Sequence, residues 1–521
     1  ALAGYGIFAL VNALTASQPA QQQTKISAIL SPLALVAPIF LMVAAALLFL
    51  RFFPLLLRGA ERLATRGRGA TAMLALTQVA RASRQASRTT LLLALTTCFA
   101  LFTITASATL TQRMSDAAAF QTGADFSGGV TLTGDASAAN IAQRTAAYDA
   151  IPGVTSAALS YRTYAPLVRG GGNVAHPYTA FSPDGSSSGS LQIEAVNADT
   201  FANTGYWDTQ DSSQSLADLM ALLRAHRTDA SAHDVVYAVV DSTIWTILNL
   251  HPGETFTLPV PGYAQGGMRF VAASEAAHIP TMFGDQGGGI LTDYQSYATV
   301  YAADTGDATG QALAPNFIWL RTKDDAASLA SVRAAIASGP LQVGDWSPMS
   351  APTISKADRR AFLAELQTDP LKIDLTGILG IGGAAALLLA LFGTLIAAWL
   401  RVRNQLSTYA LLRALGTEPR RLAALLFWEQ GIVYAVALGL GILLGAVLSI
   451  VALPVLPDLA FSGAFGGPVD SSGAPVRLVW PWPALALALA GLIVICGGAV
   501  LLSARVASRP SLSQTLRLNE G

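Results

Sequence analysis

Residues Leu422 to Val451 read LAALLFWEQGIVYAVALGLGILLGAVLSIV, and the only charged side chain in this stretch is Glu429. A bilayer core about 30 Å thick requires roughly 20 apolar residues of α-helix, so the stretch is long enough to span a membrane. The whole chain is 52% hydrophobic and 12% charged, whereas soluble globular proteins contain about 25% charged residues. We therefore predict a membrane protein with an α-helical transmembrane bundle.

Four further stretches have the length and apolar character of a membrane span. They are residues 27–50, 89–110, 375–400 and 482–503. The opening run, residues 1–14, is apolar but short, and it has neither the basic region nor the cleavage site of a signal peptide. We interpret it as the end of a spanning helix that begins before the given sequence. The alternative is a segment that lies in the membrane interface.

The arginines predict the orientation of these spans. If the spans alternate in direction, sixteen arginines and only four acidic residues lie on one side of the membrane. The arginines are Arg51, Arg58, Arg62, Arg66, Arg68, Arg81, Arg84, Arg88, Arg401, Arg403, Arg413, Arg420, Arg421, Arg505, Arg509 and Arg517. Cytoplasmic loops are enriched in basic residues, so this side is predicted to be cytoplasmic. The expected location is the plasma membrane, with several spans and the acidic residues concentrated outside.

Residues 111–371 form the large region outside the membrane, and their pattern predicts a mixed α+β fold arranged as one domain or two small lobes. The predicted strands are Gly129–Thr133, Val154–Arg162, Leu191–Val196, Val235–Val240, Thr255–Pro259, Met268–Ala273 and Asn316–Arg321. The predicted helices are Ser137–Ala150, Leu216–His226, Ala326–Ala337 and Ser355–Leu366. Gln112–Gln121 and Lys356–Gln367 are also predicted to be helical and to extend the spans outward as a stalk.

The cytoplasmic loop between the spans 375–400 and 422–451 contains a short predicted helix, residues 403–416. Leu411, Leu412 and Leu415 repeat at helical spacing, and Gly416 is a typical residue at a helix C-terminus. Thr417 is suited to cap the helix that follows. Such a helix presents side chains to whatever docks on the cytoplasmic face. The alternative is an ordinary basic loop that only determines membrane topology.

These residues also carry a family resemblance. The run YALLRALGTEPRR (409–421), followed by FWEQGIVYAVALGLGILLG (427–445), resembles the FtsX-like permease domain of ABC transporters. This family includes the MacB-like macrolide-export permeases and the lipoprotein-release permeases. The run ALTQVARASRQASRTTLLLALTTCFALFTITASATL (75–110) is similar to the family as well. The family often carries a glutamate just before the ALLRALG run, where Ser407 and Thr408 stand here.

The resemblance implies a permease subunit that pairs with a separate cytoplasmic ABC ATPase, which would bind the ATP. Residues 372–521 would be the permease domain, and residues 403–416 its coupling helix. The implied ATPase-coupling residues are Arg403, Leu411, Leu412, Arg413, Leu415 and Gly416. Within the cytoplasmic segment 51–88, Met73–Arg84 would be an elbow helix. A dimer or pseudo-dimer of permease halves is also implied, with one half upstream of this sequence.

Three observations within the spans concern packing and coupling. Glu429 lies inside a span, where an ionisable group is costly, and we interpret it as a structural or coupling residue. Gly441 and Gly445 form a GxxxG pattern that allows two helices to approach closely. Cys98 and Cys496 are expected to be apolar fillers in the spans.

The motifs of several functional classes do not occur in the 521 residues. There is no G-x-x-x-x-G-K-[ST] loop for ATP, and there is neither H-E-x-x-H nor C-x-x-C for a metal. We therefore predict no catalytic residues, no metal and no cofactor of its own, so the chain is not expected to be an enzyme. The charge balance suggests no nucleic-acid partner, and membrane lipid is the expected surrounding.

The leading hypothesis is an ABC permease that exports or extracts a hydrophobic or amphiphilic substrate through ATP-driven movement of the outer domain. The alternative belongs to another class. In it the same architecture transports nothing, and ATP hydrolysis changes the shape of the outer domain to regulate an extracellular partner such as a cell-wall hydrolase. A membrane-anchored enzyme is a third hypothesis, which no motif supports.

Overall fold

The computed structural model describes residues 83–130, 137–167, 189–263, 267–282, 288–306, 313–338, 358–368, 377, 380–397, 399–400, 419–453 and 477–508. The chain divides into two compact units. The membrane unit consists of Ala1–Arg113, Pro370–Asp470 and Val476–Gly521, and the sheet domain of Met114–Asp369 and Ser471–Pro475. The predicted segments 1–14 and 27–50, the elbow helix except its last two residues, and the coupling helix 403–416 lie outside the described residues.

The first described helix, α1, runs from Ser83 to Thr122 without interruption. Its 40 residues correspond to about 60 Å, twice the thickness of a bilayer core. The helix therefore continues well past the apolar stretch, as predicted for Gln112–Gln121. Several of its threonines donate their hydroxyls to carbonyls of the helix itself: Thr97 donates to the Leu93 carbonyl at 2.7 Å and Thr105 to the Leu101 carbonyl at 2.9 Å.

In the part of the sheet domain that the structure describes, the strands form one mixed sheet of eight. In chain order these are β1 Phe126–Gly129, β2 Val154–Leu167, β3 Gly189–Val196, β4 Val236–Asp241, β5 Thr255–Leu258, β6 Met268–Ala276, β7 Gly289–Asp293 and β8 Phe317–Thr322. Their order across the sheet is β1-β8-β2-β3-β7-β4-β6-β5. The pairs β3–β7 and β4–β6 are parallel, and the other neighbours are antiparallel. A single sheet means one domain and not two lobes.

Helices cover both faces of this sheet. They are α2 Ala138–Asp149, α3 Phe201–Thr204, α4 Leu216–Ala225, α5 Arg227–His233, α6 Ser242–Ile247, α7 Tyr294–Thr305, α8 Ala326–Ser338 and α9 Arg359–Thr368. Successive strand residues point to opposite faces. Ile290 thus joins the cluster around Tyr297 of α7, while Leu291 joins the cluster around Leu219 of α4 and Trp319. The burial of both faces makes this a mixed α+β domain, which confirms the predicted fold class.

The membrane unit adds three described helices: α10 Gly380–Ala397, α11 Pro419–Ala452 and α12 Trp482–Ser508. With α1, four described helices are long and apolar enough to cross a membrane. Buried residues make up 56% of the most apolar window of α1, against 17 to 33% for the other three helices. Thr97, Cys98 and Leu101 of α1 lie against α11, and Phe99 and Thr103 of α1 lie against α10. The helix that enters the sheet domain is therefore also the most buried of the four described membrane helices.

Candidate functional site at the root of the sheet domain

The root of the sheet domain is the place where the chain enters it after α1 and leaves it through α9. Two backbone contacts join the entering and leaving strands of the chain. Phe126 and Asp358 form an antiparallel bridge, and the Arg359 N–H donates to the Asp125 carbonyl at 3.0 Å. Residues separated by more than 230 positions in sequence thus meet at one point. The entering and leaving segments are therefore joined directly to each other at the edge of the sheet.

Asp125 is the centre of the polar contacts at the root. One oxygen, Oδ1, pairs with Nη2 of Arg359 at 2.9 Å and with Nη2 of Arg360 at 3.5 Å. The other oxygen, Oδ2, accepts the backbone N–H of Thr322 at the end of β8, at 3.0 Å. Arg360 also pairs with the exposed Asp324. The Asp125 side chain is only 13% exposed, so water screens its ion pairs less than those of a fully exposed carboxylate.

Gly123 ends α1 and fits closely into the core of the sheet domain. Its φ of +65° lies in the left-handed region that glycine tolerates best. A Cβ atom at this position would overlap the Trp319 ring and stand 2.8 Å from Cγ2 of Thr281. The Gly123 carbonyl accepts the Tyr206 N–H at 2.7 Å. The end of the helix is therefore held by the core from several directions.

Thr281 connects the end of α1 to the interior of the sheet. Its N–H donates to the Phe120 carbonyl at 2.8 Å, and its hydroxyl accepts Nη2 of Arg162 at 3.0 Å. Its φ is +69°, a left-handed conformation that is strained for a β-branched residue. Such strain persists where surrounding contacts hold the residue in place, and it occurs often at functional sites.

Behind Thr281 lies a buried ion pair between neighbouring strands. Arg162 of β2 and Glu194 of β3 are register partners, with 2.5 Å between Nε and Oε2 and side-chain exposures of 2% and 1%. The guanidinium stacks 3.7 Å from the centre of the Phe317 ring. The Ser160 hydroxyl donates to Oε1 of Glu194 and accepts the Trp319 indole N–H at 2.8 Å. These contacts offset the cost of removing two charges from water.

A group of carboxylates lies on the loop that follows Tyr206. Burial raises the pKa of Asp211 to about 6, and the negative charges of Asp208 and Asp116 add to the rise, although the hydrogen bond from the Asp208 N–H opposes it. Burial and the same aspartates raise the pKa of Tyr206 to about 12. Asp211 therefore gains and loses its proton at a pH much closer to neutral than an ordinary aspartate does.

The structure places three of the predicted site residues in the membrane unit. Glu429 is buried in α11 at 2% exposure, and its neighbour Gln430, which sequence reasoning did not single out, is equally buried. A Cβ atom on Gly441 would stand 2.6 Å from Cβ of Thr97 on α1, and one on Gly445 would stand 3.1 Å from Cβ of Leu101. Both glycines therefore lie where the backbones of α1 and α11 approach each other closely.

The predicted ATPase-coupling residues, Arg403, Leu411, Leu412, Arg413, Leu415 and Gly416, lie outside the described residues. Within the part of the chain that the structure describes, no group of three or more His, Cys, Asp or Glu side chains is arranged to hold a metal ion. Sequence reasoning missed the root contacts of Asp125 and Thr281. The only signal in the sequence was the predicted stalk on both sides of the domain, which brings the two connections near each other.

Comparisons with known proteins found a similar solved structure and a family match. Among solved structures, the chain is similar to the crystal structure of the periplasmic region of MacB from Actinobacillus actinomycetemcomitans, at 10% identity and a TM-score of 0.24, over 47% of this chain and 94% of that one. No curated protein matches the chain. Residues 380–512 match the family described as FtsX-like permease C-terminal. This match confirms the resemblance seen in residues 409–445, and it covers the C-terminal part of the chain.

Proposed function

We propose that the chain is the permease subunit of an ABC transporter that exports or extracts a hydrophobic or amphiphilic substrate. A separate cytoplasmic ATPase would hydrolyse ATP, and the permease would transmit the resulting movement to the sheet domain outside. The observation that carries the proposal is the FtsX-like permease C-terminal match at residues 380–512. In the same chain, a spanning helix leads directly into a large sheet domain.

The root supports transmission by mechanical contact. The end of α1 is fixed to the core through Gly123 and Thr281, and Asp125 joins α1 to α9. Because both connections are tied to each other, a displacement of one is passed to the other and to strand β8, which is bound to Asp125 through Thr322. A loosely attached domain would absorb such a displacement in its linkers.

The cytoplasmic contact is assigned to residues 403–416 by resemblance to the family. Arg413→Glu, or Leu411→Asp combined with Leu415→Asp, is expected to release the ATPase and to leave the spans folded. The measurement is co-purification of the ATPase with each variant, and the size-exclusion profile of the chain is the control for folding. If the ATPase co-purifies with each variant as well as with the wild type, these residues do not belong to the proposed interface.

Transport is tested by reconstituting the chain with its ATPase in vesicles and measuring ATP hydrolysis and substrate movement with lipids, lipopeptides and apolar drugs. Stimulation by such a substrate, with release of the substrate across or from the membrane, is the expected result. If only a purified extracellular protein stimulates hydrolysis and nothing moves, the chain is a signal transmitter and the transport proposal fails.

The root gives this experiment a matched pair of variants. Asp125→Asn removes the charge that joins α1 and α9, whereas Asp324→Asn removes the charge of the 83% exposed partner of Arg360. We expect Asp125→Asn to lower the substrate-stimulated hydrolysis while hydrolysis without substrate remains, because the ATPase itself is untouched. Asp324→Asn is expected to behave as the wild type. If substrate stimulates hydrolysis equally in both variants, the contacts of Asp125 do not take part in transmission.

A further inference from the structure

We propose that Arg113, in the outer half of α1, binds the phosphate of a phospholipid headgroup. Arg113 is only 5% exposed, and its Nε and Nη1 atoms have no hydrogen-bond partner among the described residues. A guanidinium carries five N–H donors and a permanent charge. A buried charge of this kind without a partner is strongly unfavourable, so the site requires an acceptor beyond the described residues.

The position of Arg113 along α1 identifies the source of that acceptor. The apolar stretch of α1 begins at Thr89, and 30 Å of hydrocarbon correspond to about 20 residues of helix, so the hydrocarbon ends near Thr109. Arg113 lies one turn further along, about 6 Å outward. That distance places its guanidinium in the headgroup layer, on the side predicted to be extracytoplasmic.

A second feature of the membrane unit independently indicates that the hydrocarbon layer ends near Thr109. The Val479 N–H donates to the Thr109 hydroxyl at 3.2 Å, which places the start of α12 level with that point of α1. Trp480 and Trp482 stack beside it with ring centres 6.2 Å apart, and Trp482 is 72% exposed. Tryptophans are enriched where the hydrocarbon meets the headgroups. Two separate elements therefore place the interface one turn inward of Arg113.

Phosphate fits the free donors of Arg113 in both charge and geometry. A guanidinium binds phosphate oxygens through two parallel charge-assisted hydrogen bonds. A phospholipid also holds its phosphate at this depth, because its acyl chains lie in the hydrocarbon beside the bundle. A headgroup covered by the protein in this way is expected to exchange slowly and to remain bound during purification in mild detergent.

The test uses the full chain, purified in mild detergent, and native mass spectrometry of the lipid that remains bound. The wild type is expected to retain a phospholipid, and Arg113→Gln to retain at least about tenfold less, since hydrogen bonds to a charged group are worth that much. Arg477→Gln is the matched control, because Arg477 is an exposed arginine at the same end of the bundle. It is expected to retain lipid as the wild type does. Equal retention in the wild type and Arg113→Gln would overturn the proposal.

A second measurement distinguishes a headgroup from a free anion. After removal of lipid, phosphatidylglycerol is expected to raise the Tm of the wild type and not that of Arg113→Gln, while inorganic phosphate alone leaves both unchanged. An equal rise with inorganic phosphate would overturn the assignment to a lipid. If Arg113→Gln does not fold, Arg113→Leu decides, because it removes both the donors and the charge from the buried position. Retention by Arg113→Leu equal to that of the wild type would then refute the proposal.

Discussion

Gly123→Ala tests whether the end of α1 is fixed tightly to the core of the sheet domain. The added methyl group meets two costs. The first is conformational, since φ at this position is +65° and a left-handed conformation costs an L-residue roughly 1–2 kcal/mol. The second is steric, because the new Cβ overlaps the Trp319 ring and stands 2.8 Å from Cγ2 of Thr281. Overpacking of this kind typically costs about 1–3 kcal/mol.

A second glycine of the same domain distinguishes the conformational cost from the steric cost. Gly253 also has a positive φ, +80°, but a Cβ there would have no atom within 4 Å. Alanine also lowers the entropy of the unfolded chain, which returns about 0.4–1 kcal/mol at either site. We therefore expect Gly253→Ala to destabilise the domain by about 1 kcal/mol or less, and Gly123→Ala by about 1–3 kcal/mol more.

The assay is hydrogen exchange of the full chain in detergent, measured on peptides that cover β2 and β8. The protection of these strands reports the free energy of opening the core around Trp319. A much faster exchange in Gly123→Ala than in Gly253→Ala is the expected outcome. If the two variants exchange alike, Trp319 and Thr281 move aside without cost, and the reasoning that α1 is fixed to the core is refuted.

Three further variants test the energetics of the same regions. Because the pKa of Asp211 is raised to about 6, the folded domain binds the proton more tightly than the unfolded chain does, and stability is lost as the pH rises from about 4 to about 6. Asp211→Asn is expected to remove this pH dependence, which amounts to a change on the order of 3 kcal/mol in the free energy of unfolding. The measurement is the unfolding free energy as a function of pH, and a slope equal to that of the wild type contradicts the prediction. Arg162→Leu leaves Glu194 charged and buried, so we expect a loss of about 3–5 kcal/mol in denaturant unfolding, most of it recovered when Glu194→Leu is added. No recovery in the double variant would show that the packing of Arg162 on Phe317, and not its charge, dominates. Gly441→Ile is expected to separate α11 from α1 and to lower the Tm in detergent. Gly439→Ile serves as the control, because a Cβ atom on Gly439 would have no atom within 4 Å. Equal Tm values for the two variants would contradict the close approach of α1 and α11.

The membrane helices and most elements of the sheet domain were predictable because they follow simple periodicities. The predicted helix Leu216–His226 is observed as Leu216–Ala225, with Ser215 as its cap, and the predicted strand Leu191–Val196 is observed as Gly189–Val196. In both, the spacing of apolar residues matches the period of the element. The predicted spans 89–110 and 482–503 likewise lie within α1 and α12.

Two errors in the sheet domain have physical causes. The predicted strand Gly129–Thr133 lies largely outside the described residues, and the observed strand Phe126–Gly129 begins three residues earlier, because its register is set by pairing with β8 and not by its own apolar residues. Strand β7 was missed since its sequence, GILTD, is short and follows a glycine-rich run. Helix α7, which follows it directly, has polar and apolar residues without a clear helical period, and its cap Asp293 was not recognised.

The contacts of the root depend on tertiary structure, so no local pattern predicts them. Asp125 and Arg359 are 234 positions apart, and Arg162 and Thr281 are 119 apart. An isolated Asp or Arg in a polar region indicates only a solvated surface, and the positive φ of Thr281 contradicts the preference of a threonine. The sequence predicts that the chain leaves and re-enters the membrane beside the domain. Which residues pair at the root is determined by the packing of the folded sheet, and the sequence alone does not show it.

Three unfavourable features meet where α1 joins the sheet domain. Thr281 is held in a strained conformation, Arg162 and Glu194 are charged and buried, and Asp211 is ionised with difficulty. A core under selection for stability alone gains from apolar residues in place of a buried ion pair. The strained residue and the pair are joined through the Thr281 hydroxyl, and Thr281 in turn binds the last turns of α1. A displacement of α1 would therefore reach Thr281 directly and, through its hydroxyl, the buried ion pair.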